Sequence, residues 1–241
     1  MRGDLMGNRC VITTEKDLRQ KGLGVYLHRN GGLASVRGFT EYCRLRGFAA
    51  PDKSSYGYSR LCQVIGNFMG ADGSSIGIGK VEELDTDNGD NGTYILNGWK
   101  IIARRYFTGK EQDDYPLMDF LETLDSVQPE THRLGDEMIA CLMHHGKVIS
   151  DVSWNYGYEL QRRERDGLSC GPFREGSFYS SNGNNSIIRI LEKPEWDAVI
   201  EIDGHRVTVP RFVWRDGSES LLFTDRYGMS RQVNSEQEVV P

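Results

Sequence analysis

The sequence lacks the features that would assign it to a membrane, secreted or DNA-binding class. No apolar run approaches the roughly 20 residues that a transmembrane helix needs. Residues 1–10 (MRGDLMGNRC) contain no apolar core of a secretory signal peptide, and we therefore expect a cytoplasmic protein. The formal net charge of −6 argues against a protein that binds duplex DNA by neutralising many phosphates.

Catalytic and cofactor motifs are also missing. There is no G-x-S-x-G nucleophile motif, no P-loop and no G-x-G-x-x-G after a predicted strand. An N-terminal nucleophile hydrolase needs Cys, Ser or Thr as its new first residue, whereas Gly7 follows Met6 here. The cysteines are odd in number and widely spaced, which favours reduced thiols buried as small apolar side chains. We therefore predict no cofactor and favour a protein that is not an enzyme.

The first segments predict an α+β fold that begins with two strands and two helices. Cys10–Thr14 and Val25–His28 have strand patterns and are joined by a polar stretch, which favours an antiparallel pair. Apolar residues recur at helical spacing over Ala34–Arg46 and again over Leu61–Phe68. Tyr56–Ser59 would form the segment that enters the second helix.

Antiparallel strands and another helix follow in the same half. Asn97-Gly98 separates two β-rich segments, residues 93–96 and 99–107. This dipeptide is a strong hairpin signal, because both residues of the turn must accept positive φ. The other predicted elements are a strand over Ser75–Val81 and an amphipathic helix over Tyr115–Val127.

The C-terminal third predicts mainly β-structure. The turn signals Asp203-Gly204 and Asp216-Gly217 separate alternating segments, which is typical of a β-meander. The predicted strands are Ser186–Leu191, Trp196–Ile202, His205–Trp214 and Ser220–Thr224. Residues 137–149 fit either a helix or a strand, and both stay open. We place a soft boundary near residue 150, between an α+β domain over residues 6–150 and a β-rich C-terminal domain or extension over residues 151–241.

The clearest candidate site is the end of the second predicted strand, residues His28–Gly32, which we call the elbow. A helix start presents free backbone N–H groups that attract phosphate or carboxylate. The glycines would let the backbone approach a ligand, and a guanidinium can bind two oxygens at once. We therefore predict ligand contacts from His28, Arg29, Asn30, Gly31 and Gly32. The alternative is an ordinary tight turn whose two bases point into water.

Three residues outside the elbow extend this predicted site. Arg9 precedes the neighbouring strand, so pairing of the two strands would bring it beside the elbow. Arg60 follows Tyr56 in the chain, and a tyrosine ring offers a face on which a base can stack. The alternative for Tyr56 is packing within a small apolar cluster.

Two segments resemble metal sites but do not match the required spacing. Counting from Asp85, the acidic loop has Asp90 at position six and a leucine at position twelve, where an EF-hand needs Gly and Glu. We therefore predict Asx-type turns in this loop. Cys141, His144 and His145 offer three local ligands, but no C-x-x-C or H-E-x-x-H motif supplies others. We predict no metal site, and a histidine pair that faces solvent.

Four motifs of the N-terminal half occur together: MGNRxVITT, GVYLHxNGG, YG-x-x-RLCQVIGNF and LDxDNxDNGxY. They are carried by Gly7-Asn8-Arg9, Val25–Gly32, Tyr56-Gly57 with Arg60–Phe68, and Leu84–Tyr94. This combination resembles a family of proteins encoded by phages, prophages and mobile elements of gut Firmicutes, over residues 6–125. The family has Trp after the histidine, where this chain has Arg29. The resemblance implies a setting, that of a mobile-element accessory protein in phage and host conflict, and it does not assign an activity.

We therefore expect a non-catalytic binding protein of a phage or mobile element. It would hold a small anionic, nucleotide-like ligand at the elbow, together with Arg9, Tyr56 and Arg60, and so sequester a host defence signal. One alternative is an inhibitor that contacts a host defence protein through its acidic surface and its aromatic β-rich half. Another is a hydrolase of a nucleotide or an amide, with His28 as the base. Self-association into a homo-oligomer stays open, and neither duplex DNA nor a membrane is expected as a partner.

Overall fold

The computed structural model describes residues 8–70, 75–111, 115–145, 165, 171–180, 186–214 and 217–240, and over them the chain is an α+β protein, as predicted. The helices are α1 (Leu33–Leu45), α2 (Tyr56–Met69), α3 (Leu117–Ser126) and α4 (Asp136–His145). The strands are β1 (Cys10–Thr13), β2 (Leu23–Leu27), β3 (Ile76–Lys80), β4 (Thr93–Asn97), β5 (Lys100–Arg105), β6 (Phe178–Ser180), β7 (Ile187–Glu192), β8 (Asp197–Ile202), β9 (His205–Val213), β10 (Glu219–Thr224), β11 (Ser230–Asn234) and β12 (Glu238–Val239). None of these helices has the length and apolar character needed to cross a bilayer.

The described residues divide into two compact units. The first ends at Arg133 and the second begins at Leu134, so α4 belongs with the β-rich part of the chain. Residues 137–145, for which the sequence left helix and strand open, are helical. The boundary predicted near residue 150 lies outside the described residues.

The first unit is built on a five-stranded sheet in the order β3-β2-β1-β4-β5. β1 is central, and it pairs antiparallel with β2, as predicted, and parallel with β4. All four residues of β1, Cys10–Thr13, are fully buried. Burial on both faces is typical of a strand with parallel pairing, which needs a covered sheet. The parallel pair joins segments far apart in the chain, and no local pattern predicted it.

Aromatic side chains pack the helices of this unit together. The ring centroids of Phe39, Phe68 and Phe120, one from each of α1, α2 and α3, lie between 5.4 and 5.6 Å apart. Tyr42 of α1 donates its hydroxyl proton to Asp125 of α3 over 2.5 Å, and both side chains are buried. Desolvation raises the pKa of Tyr42, so the phenol stays protonated and acts as the donor.

The hairpin predicted at Asn97-Gly98 is present, with its turn one residue further along. Asn97 pairs with Lys100, so the two central residues of the turn are Gly98 and Trp99. Gly98 has φ +61°, which matches the first central position of a type II′ turn. Asn97 is therefore the last residue of β4. This shift puts Trp99 at the tip, where its indole N–H donates to the carbonyl of Phe48 over 2.6 Å.

α2 begins at Tyr56, five residues before the predicted apolar pattern. Tyr56–Ser59 form its first turn, and the prediction of an entry segment there is wrong. Tyr58 explains the longer helix, because its buried hydroxyl accepts a hydrogen bond from the backbone N–H of Thr14 over 3.0 Å. A tertiary contact with the end of β1 thus extends a helix whose first turn has little apolar periodicity of its own.

The second unit contains an antiparallel sheet in the order β11-β10-β9-β8-β7-β6-β12. The four strands predicted here match β7, β8, β9 and β10 to within one residue at each end. Asp203 and Gly204 have φ +49° and +77°, as a two-residue type I′ turn requires. Asp216 lies outside the described residues. The short strands β6, β11 and β12 were not predicted, and the core is formed by a cluster that includes Tyr179, Ile190, Ile200 and Leu221.

Gly31→Ala tests the packing between the elbow and the residues that lead into β1. A Cβ at Gly31 would lie 2.6 Å from the carbonyl oxygen of Asn8 and 2.7 Å from the carbonyl carbon of Arg9. Because both are backbone atoms, we expect Gly31→Ala to lower the free energy of unfolding by about 1–3 kcal/mol in a urea titration. Gly77→Ala is the control, since its Cβ would come no closer than 3.7 Å to Tyr26. Equal stability of the two variants would contradict this account.

Candidate functional site

The elbow is a tight connection held by the backbone beside it. β2 ends at Leu27, and α1 begins at Leu33. Between them Asn30 has φ +57°, a left-handed conformation that Asn accepts more readily than most residues. The N–H of Gly31 donates to the carbonyl of Asn8 over 2.7 Å. Gly31 is therefore used to let two segments of the protein approach each other closely.

Arg9 lies beside the elbow, as strand pairing predicted, but its charge is already balanced. Its Nε donates to Asp90 over 2.7 Å, and its Nη1 lies 3.8 Å from Asp85. The backbone N–H of Arg9 donates to the same Asp90 carboxylate over 3.1 Å. The sequence predicted that Arg9 extends the ligand site at the elbow. Its guanidinium instead holds the acidic loop against the start of β1.

The acidic loop is organised by Asn88, which is buried. Its side-chain oxygen accepts from the N–H of Asp90 over 3.1 Å, and its amide group donates to the carbonyls of Asp85 and Gly92. The first of these bonds confirms the predicted Asx-type turn. The loop thus presents Asp90 to Arg9, so its carboxylate forms an internal ion pair.

The surface of the elbow carries charges of both signs. His28 and Arg29 are exposed, and Asp85 and Asp90 lie on the loop beside them. The hydrogen bond from Arg9 holds the pKa of Asp90 below its usual value, and the nearby His28 adds a small contribution in the same direction. An anion at the elbow would therefore feel the two carboxylates as well as the bases Arg9, His28 and Arg29, which lowers the net attraction.

Tyr56 and Arg60 lie at the other end of β1. Tyr58, between them in α2, bonds to Thr14, and β1 rises about 3.3 Å per residue, so Thr14 lies about 17 Å from Arg9. The guanidinium carbon of Arg60 lies 5.3 Å from the ring centroid of Phe48, beyond the C-terminal end of α1. Tyr56 is 72% exposed. The structure thus brings Arg9 to the elbow and leaves Tyr56 and Arg60 apart from it.

A cavity of about 500 Å³ runs along the exposed side of α1, starting at the residue that follows the elbow. One wall is a stripe on α1 at helical spacing, formed by Leu33, Arg37, Thr40, Glu41 and Arg44. The other wall is the tip of the β4–β5 hairpin with Trp99, Lys100 and Ile101. We call this space the α1 groove. Periodicity could have shown the stripe, but not which strand faces it.

The charges that line the α1 groove differ in whether they are paired. Arg44 is paired with Glu41 over 2.6 Å. Arg37 and Lys100 are exposed, and over the described part of the chain neither makes an ion pair. The apolar lining comes from Leu33, Trp99 and Ile101. The groove thus combines an apolar surface with two cations that have no carboxylate partner.

The residues beside His28 do not form a nucleophilic pair with it. Cys10 is the cysteine in the strand next to the elbow, and it is fully buried. Burial raises the pKa of its thiol far above the usual range, so the thiolate that a nucleophile needs does not form. His28 itself is exposed, and its neighbours Asp90 and Arg9 are occupied by each other.

Asp90→Asn tests whether the Arg9 ion pair stabilises this site. The hydrogen bond from Arg9 lowers the pKa of Asp90 in the folded state. Its stabilisation is therefore present above the unfolded-state pKa of about 3.9 and is lost as the pH falls through the lower folded-state value. We expect Asp90→Asn to lower the Tm at pH 7 and to weaken the fall in Tm below about pH 5.

Asp87→Asn is the matched control, because Asp87 lies in the same loop, is exposed and makes no ion pair within the described residues. Circular dichroism melts of the three proteins across the acid range give the comparison. Identical pH profiles for wild type and Asp90→Asn would show that the pair contributes nothing to stability.

Comparison with known proteins identifies no relative of this chain. No family model, no curated protein and no solved structure matches this chain.

Proposed function

We propose that this chain is a binding protein whose first unit holds a small organic anion in the α1 groove, next to the elbow. The ligand is nucleotide-like, with an anionic group and an apolar or aromatic part, and it is held without being converted. In the mobile-element setting that the family resemblance implies, the role is sequestration of a host defence signal. The observation that carries the proposal is a groove with an apolar wall and two cations that make no ion pair with a described residue.

The dimensions of the α1 groove fit a small molecule. Its volume of about 500 Å³ falls within the range of roughly 300–1,000 Å³ that is usual for ligand pockets. Such pockets combine a largely apolar lining with a few polar groups that fix the orientation of the ligand. In the α1 groove the apolar lining comes from Leu33, Trp99 and Ile101. The polar groups that would orient a ligand are Arg37 and Lys100. Trp99 is held in place by its bond to Phe48, so this wall is already formed without a ligand.

The two cations support an anionic ligand. The guanidinium of Arg37 can donate two parallel hydrogen bonds to a phosphate or carboxylate, and Lys100 adds a point charge from the opposite wall. A hydrogen bond to a charged group contributes about 1.5–3 kcal/mol. At the elbow, by contrast, Arg9 already forms an ion pair with Asp90. His28 and Arg29 then serve as a secondary contact at the end of the groove that begins with Leu33.

Binding without conversion is favoured by what surrounds the groove. Glu41 is the carboxylate that lines it, and Glu41 is paired with Arg44. A general base has to be free to accept a proton from the reacting group. The hydrolase alternative would therefore rest on His28, beside a cysteine that is buried and protonated.

The proposal is tested by binding of a nucleotide panel to the full chain, with thermal shift as the first measurement. We expect at least one nucleotide to raise the Tm and to be recovered intact after denaturation. Arg37→Ala and Lys100→Ala should each weaken its affinity by about tenfold, the equivalent of about 1.4 kcal/mol. Recovery of an altered nucleotide would indicate an enzyme, and no shift with any nucleotide would exclude this ligand class.

Two control variants locate the site. Arg105→Ala removes an exposed arginine from the same strand as Lys100, outside the groove lining, and we expect unchanged affinity. The double variant Arg9→Ala with Arg29→Ala removes the two arginines of the elbow region. A smaller loss of affinity in this double variant than in Arg37→Ala supports the groove, whereas a larger loss would place the anion at the elbow.

A second candidate function, inhibition by direct protein contact, is favoured by the β10–β11 hairpin. Its tip exposes Tyr227 (69%) and Met229 (53%). Asp225 holds the tip rigid, because one carboxylate oxygen accepts from the N–H groups of both residues and the other accepts from Arg231. A rigid tip with exposed Tyr and Met is typical of a protein contact surface. Loss of a host-protein contact in Tyr227→Ala, with nucleotide binding retained, would favour this candidate.

A further inference from the structure

The second unit brings two histidines of α4 close to the first residue of β8. His144 and His145 are the last two residues of α4, and Asp197 begins β8. One possible ligand atom from each of the three side chains lies within 4.8 Å of the other two. Cys141, which the sequence grouped with the two histidines, takes a different position: its thiol donates to the carbonyl of Arg211 over 3.0 Å.

His145 is held in place like a metal ligand supported by its surroundings. Its side chain is only 8% exposed, and its ring lies 5.7 Å from that of Phe212. Its Nε2 lies 2.7 Å from the carbonyl oxygen of Trp196, so Nδ1 is the nitrogen that would bind a metal. Ligating histidines almost always donate one ring N–H to a carbonyl or carboxylate, which leaves the other nitrogen free to bind the metal.

The exposed side chain of His144 is the part of the cluster that can move. The ring of His144 lies 4.9 Å from that of His145, edge to face, and its side chain is exposed. Zinc–ligand bonds of about 2.0–2.1 Å in a tetrahedron separate neighbouring ligand atoms by about 3.3 Å. An exposed imidazole can close the remaining gap by rotating about its side-chain bonds, which needs no movement of the helix.

The charges around the cluster allow a cation to bind. Arg211 is the nearby cation, and its Nε lies 3.3 Å from the backbone carbonyl of Asp197. Its guanidinium is paired with Glu219 over 2.5 Å. The Asp197 carboxylate is 34% exposed and makes no other ion pair with a described residue. A divalent cation would therefore meet one carboxylate and two imidazoles.

We propose that His144, His145 and Asp197 form a zinc site with its fourth position open to solvent. Two imidazole nitrogens with one carboxylate oxygen suit zinc, whereas magnesium and calcium prefer oxygen ligands alone. Three protein ligands leave one position of a tetrahedron for water or for an anionic group of a bound molecule. This site lies in the second unit and is independent of the proposed anion site.

The test is a zinc titration of the full chain, with affinity tags removed and metals stripped by dialysis against a chelator. Competition with a chromophoric chelator measures the affinity. We expect one equivalent of Zn²⁺ per chain and no comparable binding of Mg²⁺. Zn²⁺ should also raise the Tm, since it binds the folded chain.

The main variant is His144→Ala, because an exposed side chain can be removed without disturbing the fold. We expect it to bind Zn²⁺ at least about tenfold more weakly and to lose the rise in Tm. Asp197→Asn should weaken binding as well. His205→Ala is the control: His205 is exposed and pairs with Ile202 at the other end of β8, about 17 Å from Asp197. Equal affinity in wild type and His144→Ala, or an equal loss in His205→Ala, would overturn the proposal.

Discussion

Hydrogen bonds at the start of β1 tie three distant segments of the first unit together. The carbonyl of Asn8 accepts from Gly31, the carbonyl of Arg9 accepts from Asn91, and the N–H of Val11 donates to Gly92. The Arg9 side chain adds the ion pair with Asp90. The elbow, the acidic loop and the parallel strand β4 therefore all take their positions from one short stretch of backbone, which is buried and has to be hydrogen-bonded.

This arrangement decides which charges remain for binding. Arg9 is engaged in the fold, because its guanidinium is paired with Asp90. Without Asp90 this guanidinium would lie beside the start of β1 and lack its nearest carboxylate. The helix that follows the elbow instead presents Arg37 on the side facing the β4–β5 hairpin, opposite Lys100. The ligand site that we propose for this unit therefore lies along the helix, where two cations make no ion pair with a described residue, and not at the turn that begins it.

Much of the secondary structure was predictable, because local patterns determine it. The antiparallel β1–β2 pair, the β4–β5 hairpin, and the strands β7 to β10 follow from alternation and turn residues. The errors lie where a tertiary contact changes a boundary: Tyr58 extends α2 through its bond to Thr14, and the hairpin turn shifts by one residue to Gly98 and Trp99. The parallel β1–β4 pair had no local signal at all, since β2, α1, α2 and β3 lie between its two strands in the chain.

The sequence by itself determined an α+β chain with a basic elbow, a helix that follows the elbow and a histidine pair at residues 144 and 145. Only the tertiary structure decided what each of these faces. It set Arg9 against Asp90, Arg37 across from Lys100, and the histidine pair beside Asp197. The physical reason is that the strength of a charge or a ligand depends on its partners within a few ångströms, and those partners come from segments far away in the chain.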